Sequence, residues 1–100
     1  MASVREVLFS PAAVRQLRRQ PAAARSLVKA KVAELLGRQD PTEQSRNRFR
    51  LRRESQHADF ELRIEPWRVF YRVEESRVLV ELIGRKEGNR LFVEGKESLL

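Results

Sequence analysis

The feature that most constrains the fold is the stretch "DFELRIEPWRVFYRVEE" at 59–75, in which two alternating runs flank Pro66. Side chains of an extended chain point to opposite faces in turn, so every second residue shares a face. The first run, 59–65, has its apolar residues on one face: Phe60, Leu62 and Ile64. The second run, 67–75, does the same with four residues: Trp67, Val69, Tyr71 and Val73. Two such runs around a proline turn predict a pair of strands with one buried face, to which Trp67 and Tyr71 contribute core side chains.

Further strands are predicted on both sides of this pair. The run "RVLVELIG" at 77–84 is apolar on both faces around 78–80, which is typical of a central strand. A turn at 88–89 then leads to a short apolar piece at 91–93. Before the pair, "RNRFRLRR" at 46–53 is the weakest strand candidate. Its alternation places four arginines on one face: Arg46, Arg48, Arg50 and Arg52. Phe49 and Leu51 are expected to anchor the other face.

The N-terminal part of the chain predicts one strand and two helices. The apolar stretch "VREVLFS" at 4–10 favours an opening strand, after which Ser10 and Pro11 provide an N-cap and a first helical residue. A second helix is expected to start with Pro21 at its first position and to end at Gly37, before Pro41. Its apolar residues follow the helical i, i+3, i+4 spacing: Ala24, Leu27, Val28, Val32, Leu35 and Leu36.

These elements predict a single α+β domain over residues 1–100, in the order β-α-α-β-β-β with a possible short extra strand at the C-terminus. The chain has no cysteine and one histidine, His57, so neither a metal nor a cofactor is expected. Neither a signal peptide nor a membrane span is recognisable, which predicts a cytoplasmic protein with no membrane partner.

The charge of the chain indicates a polyanionic partner. Lys and Arg total 21 against 14 acidic residues, a net charge of +7, and seventeen of the basic residues are arginine. Arginine binds phosphate oxygens bidentately and stacks on bases, so this balance favours nucleic acid, the ribosome or an acidic protein. The alternative is that a GC-rich genome encodes arginine wherever a surface cation is needed.

Residues 59–93 resemble the RelE/ParE superfamily of bacterial toxins from type II toxin–antitoxin systems. The most specific part is "ELRIEPWRVFYRV", which is similar to the superfamily's alternating strand, tight turn and aromatic-Arg-apolar-apolar-Tyr pattern. The stretch "LIGRKEGNRLF" resembles its last strand and basic C-terminal segment. The resemblance implies a toxin neutralised by a cognate antitoxin. RelE-like members cleave messenger RNA at the ribosome, whereas ParE-like members inhibit DNA gyrase.

The resemblance also implies site residues for RNA cleavage, which needs a proton acceptor, cations that hold the phosphate and an acid for the leaving oxygen. By position, the strand cations are Arg63 and Arg68, and the cations of the C-terminal segment are Arg85 and Lys86. Phe92 stands where the best-known nucleases have a tyrosine, and it carries no transferable proton. Glu61 stands where some members have a lysine, and it is either a general base or a salt-bridge partner of the arginines.

The predicted site has a catalytic set and an RNA-binding set. The catalytic set is Arg68, Arg63, Lys86 and Glu61. The RNA-binding set is Arg48, Arg50, Arg52, Arg85 and Phe92. For the arginines the alternative is pairing with glutamates across a solvated sheet face. His57, which titrates near neutral pH, is placed in the loop before the strand and is either an ordinary loop residue or a neighbour of the site.

Two functional interpretations, and a weaker third, are considered at this point, and the first is the one that the sequence predicts. The first is a RelE-like endoribonuclease acting on messenger RNA at the ribosome, which the arginine-rich surface favours. The second is a ParE-like gyrase inhibitor, or a superfamily member that acts only by binding, which Phe92 and Glu61 favour. A third, a small basic nucleic-acid-binding domain, has no helix-turn-helix or aromatic RNA-binding motif to support it.

Overall fold

The structure is a computed structural model that describes residues 4–52, 55–56 and 58–98. Two α-helices, one π-helical turn and seven strands are found within these ranges. The elements in chain order are β1 Glu6–Phe9, α1 Pro11–Arg18, α2 Ala22–Val32, the π turn Ala33–Gly37, β2 Arg48–Arg50, β3 Phe60–Ile64, β4 Trp67–Val73, β5 Arg77–Glu87, β6 Arg90–Val93 and β7 Lys96–Ser98. The predicted α+β class is confirmed.

The strands form one sheet in the order β2-β3-β4-β5-β6-β7, in which neighbours are antiparallel. The strand β1 pairs in parallel with the first part of β5, from Glu6 opposite Arg77 to Phe9 opposite Val80. The strand β5 therefore pairs with three other strands, which confirms its predicted central position. It continues to Glu87, three residues beyond the predicted end at Gly84.

The helices cover one face of the sheet and form the main core with it. Phe60, Leu62 and Ile64 of β3 are buried there, as are Trp67, Val69 and Tyr71 of β4, so the predicted alternation is confirmed. The helices contribute five buried apolar residues: Ala13, Leu17, Val28, Val32 and Leu36. The rings of Phe60 and Tyr71 stack with their centroids 5.4 Å apart.

The face turned away from the helices, here called the open face, carries a second and smaller apolar cluster. Its buried residues are Ala58, Phe70 and Leu91. Leu51, Leu82 and Val93 pack against it. The open face therefore has an apolar middle, which this cluster forms, and a charged end near the turn between β3 and β4.

The helix starts and ends differ in detail from the prediction. Ser10 is the N-cap of α1, as predicted, and its hydroxyl accepts a hydrogen bond from the amide of Ala13 at 3.0 Å. Pro21 is the N-cap of α2 and not its first helical residue. Gly37 does not end the helix through a left-handed conformation. It lies buried in the π turn, where an added Cβ would be 3.4 Å from the Arg5 carbonyl oxygen and from a Val7 methyl carbon. Leu27 is 44 % exposed, outside the predicted buried stripe.

The prediction that Arg48 lies on an exposed arginine face is wrong. The strand β2 is only three residues long, and Arg48 points to the helix side, where it is buried. Its guanidinium donates to three oxygens: Leu35 O at 2.8 Å, Gln39 Oε1 at 2.9 Å and Glu43 O at 3.1 Å. Carbonyls at a helix end lack intrahelical partners, so a buried arginine donor stabilises this end of α2 and the loop after it. Arg48 is therefore removed from the RNA-binding set.

Candidate functional site

Glu61 lies between two arginines at the charged end of the open face. Arg63 and Arg68 are opposite each other in the register of β3 and β4, and Glu61 precedes Arg63 by two residues on the same face. Arg63 Nε donates to Glu61 Oε2 at 2.6 Å, and Arg68 Nε is 3.7 Å from the same oxygen. One carboxylate oxygen thus contacts both strand cations, as the salt-bridge interpretation of Glu61 predicts.

Arg68 is the more buried of the two arginines, with 6 % of its surface exposed. Besides Glu61 it contacts Glu65, whose Oε1 accepts from a terminal nitrogen at 3.1 Å, and the Trp67 carbonyl oxygen at 3.0 Å. The residue opposite Arg68 on β5 is Gly84. An added Cβ on Gly84 would be 2.9 Å from the Phe92 carbonyl oxygen, so this position requires glycine for the close approach of β6.

Lys86 belongs to the same face as this cluster by strand alternation. It lies two residues beyond Gly84 on β5, is half-buried, and pairs with Leu91 of the open-face cluster. Its backbone amide donates to the Pro66 carbonyl oxygen at 2.8 Å, which ties β5 to the turn that follows β3. The four residues of the predicted catalytic set therefore share the open face.

A groove beside this cluster contains the exposed part of "RNRFRLRR". The guanidinium of Arg63 lies over the Phe49 ring, 4.3 Å from its centroid, and that of Arg50 lies 5.3 Å from the centroid of Phe60. The groove has a volume of about 760 Å³. We call it the arginine groove, and its lining residues are Gln44, Phe49, Arg50, Leu51, Arg52, Glu61 and Arg63.

Arg85 and Phe92 lie on the helix side of the sheet, away from Arg68. They are opposite each other on β5 and β6, and the Arg85 guanidinium is 5.3 Å from the centroid of the Trp67 ring. Both line a groove of about 480 Å³ beside α1, with Gln16 and Arg19. The predicted RNA-binding residues line two grooves. Arg50 and Arg52 line the arginine groove, although the Arg50 guanidinium lies over Phe60 on the helix side of the sheet, and Arg85 and Phe92 line the other groove.

A further surface, which the sequence did not predict, lies along α1 and the start of α2. Two adjoining grooves of about 630 and 600 Å³ share Phe9, Val14 and Arg18. Their floor is apolar and their rim is basic, and we call them together the helix groove. The rim residues are Arg15, Arg18, Arg19, Arg25 and Lys29. The outward arginines of α1 were visible in the sequence, but the apolar floor needs Phe9 of β1, which is brought in by tertiary packing.

The groups available for proton transfer at the Glu61 cluster are few. The chain has one tyrosine, Tyr71, which is buried and donates to the Pro41 carbonyl oxygen at 2.6 Å. Burial raises the pKa of Tyr71 well above its usual range. His57 lies outside the described residues, so its approach to the site stays a prediction. Within the described ranges, no group of three His, Asp or Glu side chains is placed to hold a metal ion.

Comparison with known proteins gives two findings. The family model for the ParE toxin of the type II toxin–antitoxin system, parDE, matches residues 7–89. The toxin–antitoxin complex RelBE2 from Mycobacterium tuberculosis contains a chain of the same fold. That chain is 23 % identical with a TM-score of 0.70, and the alignment covers 84 % of this chain and 93 % of that one. No curated protein is similar enough in sequence to match. None of the helices in the described ranges is long and apolar enough to cross a membrane.

Proposed function

The chain belongs to the ParE toxin family of type II toxin–antitoxin systems, and from this we propose that it arrests growth by binding and inhibiting DNA gyrase in the bacterial cytoplasm. The two activities expected from the resemblance differ in chemistry, because an endoribonuclease needs proton transfer and an inhibitor needs only a complementary surface. The proposal rests on the contacts that the strand arginines make with carboxylates.

Arg68 contacts two carboxylates, whereas Arg63 is bonded to one carboxylate through Nε. Glu61 contacts Arg63 and Arg68 with one oxygen, and Glu65 contacts Arg68 with another. A cation that stabilises a phosphate in the transition state must be free to contact it. The Arg68 side chain is also largely covered, with 8 % of its surface exposed. This arrangement supports a structural role for Arg68 and does not favour phosphate chemistry at that residue.

Proton transfer has weak support as well. Glu61, the carboxylate that contacts both arginines, is held by them in ion pairs. Tyr71 is enclosed in the core on the other side of the sheet. Phe92 has no hydroxyl and lies on the helix side. Within the described residues, the open face offers cations and aromatic surface for binding, and Lys86 is its candidate proton donor to a leaving oxygen.

The second candidate is the RelE-like endoribonuclease acting on messenger RNA at the ribosome. One observation favours it: the four residues of the predicted catalytic set do share a face, next to a groove rich in arginine. A displaced Glu61 would leave Arg63 and Arg68 available to a phosphate. This candidate predicts that removing either arginine abolishes toxicity.

The two candidates are separated by one set of measurements on induced cells and purified protein. The wild-type chain is expressed in bacteria, message ends are mapped, and purified gyrase is assayed for supercoiling with added toxin. We expect inhibited supercoiling, DNA-damage signalling and unchanged message ends. New cuts inside translated frames that disappear in Arg68→Ala would instead establish the nuclease. Absence of toxicity would contradict both candidates and indicate an inactive relative.

We further propose that the helix groove binds the antitoxin, through an acidic amphipathic segment. The floor of the groove is apolar and contains Phe9, Val14 and Leu17, while its rim carries five cations, of which Arg15 is bonded to Glu94. An amphipathic helix lays its apolar face into such a groove, and acidic flanks complement a basic rim. This surface is separate from the arginine groove, so an antitoxin bound there leaves the open face to other ligands.

The antitoxin proposal is tested with the small protein encoded beside the toxin gene. Its affinity for the double variant Arg18→Glu with Arg25→Glu is compared with that for Arg50→Glu with Arg52→Glu, which has the same change in net charge. We expect the first pair to weaken binding about tenfold or more, and the second to change it by less than about threefold. Equal effects would mean that only overall charge matters, and the helix groove would then have no special role.

A further inference from the structure

We propose that the arginine groove binds the phosphodiester backbone of a nucleic acid, which it holds without cutting. The statement that the groove holds the nucleic acid without cutting it rests on the proposed function, since a toxin that inhibits gyrase works on an enzyme bound to DNA. The statement that the groove binds a phosphodiester backbone depends only on the groove itself. A toxin of this kind would contact both protein and nucleic acid in its target complex.

The charges of the groove favour an anionic ligand. Arg50, Arg52 and Arg63 line it, against a single carboxylate, Glu61, which is already bonded to Arg63. Arg50 and Arg52 are exposed, and neither forms an ion pair with a carboxylate in the part of the chain that the structure describes. Exposed like charges without partners repel one another, and a bound polyanion relieves this repulsion and releases its own counterions.

Two of these arginines are held in place before any ligand arrives. The Arg63 guanidinium lies over the Phe49 ring while its Nε is bonded to Glu61, and its terminal nitrogens form no hydrogen bond within the described residues. The Arg50 guanidinium lies over the ring of Phe60 on the helix side of the sheet, so Arg50 lines the groove only where the edge strand passes it. Ordering a long side chain on binding costs about 0.5–1.5 kcal/mol, and stacking on an aromatic ring reduces that cost. A positioned guanidinium plane can bind phosphate oxygens bidentately or stack on a base.

The floor of the groove distinguishes a nucleic acid from an acidic peptide. Peptides bind tightly when apolar anchors enter pockets. In this groove Arg63 covers Phe49, and Leu51 packs into the open-face cluster. The lining of this groove is also far more polar than that of the helix groove. A phosphodiester backbone needs only cations at its surface, which this groove provides.

The test measures binding of the purified full-length chain to two labelled probes: a duplex DNA of about 20 base pairs and a single-stranded RNA of equal length. Fluorescence anisotropy is recorded over a range of salt concentrations, because each phosphate contact adds about 0.9 to the slope of log affinity against log salt on duplex DNA. The groove variant is Arg50→Gln, Arg52→Gln and Arg63→Gln. The matched control is Arg15→Gln, Arg18→Gln and Arg25→Gln, which removes the same charge from the helix side.

We expect the affinity of the groove variant to fall about tenfold or more. Its salt slope should decrease by the equivalent of two to three phosphate contacts, at about 0.9 per contact. The control is expected to change affinity by less than about threefold. Arg52→Gln alone, at an exposed position with no ion pair to another described residue, should remove about one contact, and this single variant guards against misfolding of the triple variant. Preference for DNA or for RNA identifies the source of the backbone.

Three results would overturn the inference. The first is equal loss in the groove variant and the control, and the second is unchanged binding in Arg52→Gln and the triple variant. The third is that a polyglutamate peptide binds the groove as tightly as the nucleic acids at the same salt, which would point to a protein ligand. The proposed function fails separately, if the wild-type chain leaves gyrase supercoiling unaffected whether or not it binds DNA.

Discussion

Tyr71 and Pro41, 30 residues apart in sequence, are joined by a hydrogen bond of 2.6 Å from the phenol hydroxyl to the carbonyl oxygen. This bond connects the middle of β4 to the loop that follows the π turn. Tyr71→Phe leaves the buried carbonyl without its donor, and we expect a loss of about 1–3 kcal/mol in the free energy of unfolding. Urea denaturation checks this value. Val69→Ala, at a neighbouring core position without a hydrogen bond, serves as a comparison for packing alone.

The same tyrosine predicts an alkaline limit to stability. Burial raises the pKa of Tyr71 above its ordinary value near 10.0, with a further increase from Asp40 and an opposing effect from Arg48. Because the folded state holds this proton more tightly than the unfolded state, the stabilisation is complete below about pH 10 and is lost as the pH rises further. We expect denaturation midpoints of wild type to fall above that pH more steeply than those of Tyr71→Phe. Identical pH profiles would contradict the assignment.

Arg48 and Arg50 allow a direct comparison of a buried and an exposed arginine on the same strand. They are two residues apart on β2, yet Arg48 is buried and donates to three oxygens while Arg50 is exposed. Arg48→Met is expected to lower the free energy of unfolding by about 3 kcal/mol, because three acceptors lose a charged donor. Arg50→Met should change it by less than about 0.5 kcal/mol. Similar losses in both variants would show that Arg48 is not a structural donor.

Much of the fold was predictable because apolar residues recur at every second position in the strands. The alternation of 59–75 identified Phe60, Trp67 and Tyr71 as core residues, and all three are buried. The N-cap at Ser10 was readable from residue type alone. The orientation of Arg48 was not predictable, since an arginine has no preference for the buried side until a helix end supplies acceptors there.

The candidate site was predicted in part for the same reason. Alternation on β3 placed Glu61 and Arg63 on one face, and the hairpin register then brought Arg68 opposite Arg63. The separation of Arg85 from this cluster depends on a register shift between Phe70 and Tyr71 in the pairing of β4 with β5. An irregularity of this kind leaves no periodic signal in the sequence. The aromatic stacking of Arg63 is likewise a tertiary feature.

Gly84 sets the close approach of β6 to β5 beside the cluster. In Gly84→Ala the new Cβ would be 2.9 Å from both the Phe92 carbonyl oxygen and a Leu91 methyl carbon. Backbone atoms cannot yield as a flexible side chain does, so we expect a loss of about 1–3 kcal/mol in the free energy of unfolding. Gly37→Ala, whose Cβ would meet its neighbours at 3.4 Å, is the control and should cost less. Thermal denaturation of the two variants decides the order.

The last prediction concerns the charge of Glu61, which opposes anion binding in the arginine groove. Glu61→Gln removes one negative charge beside Arg63 and Arg68 and keeps the shape of the side chain. At a distance of about 6 Å and an effective dielectric constant of about 60, this change is worth about 1 kcal/mol toward a bound phosphate. We therefore expect binding of duplex DNA to tighten about fivefold at low salt, and less at high salt.

The control for this variant is Glu74→Gln, which also removes one carboxylate from an ion pair, with Arg77 at 2.8 Å, at an exposed site away from the groove. Its effect on DNA binding should be below about twofold. The same pair separates the two candidate functions in cells. If Glu61 is a general base, Glu61→Gln abolishes toxicity and message cleavage together. If the chain acts by binding, as proposed, toxicity persists because no step of the inhibition transfers a proton through Glu61.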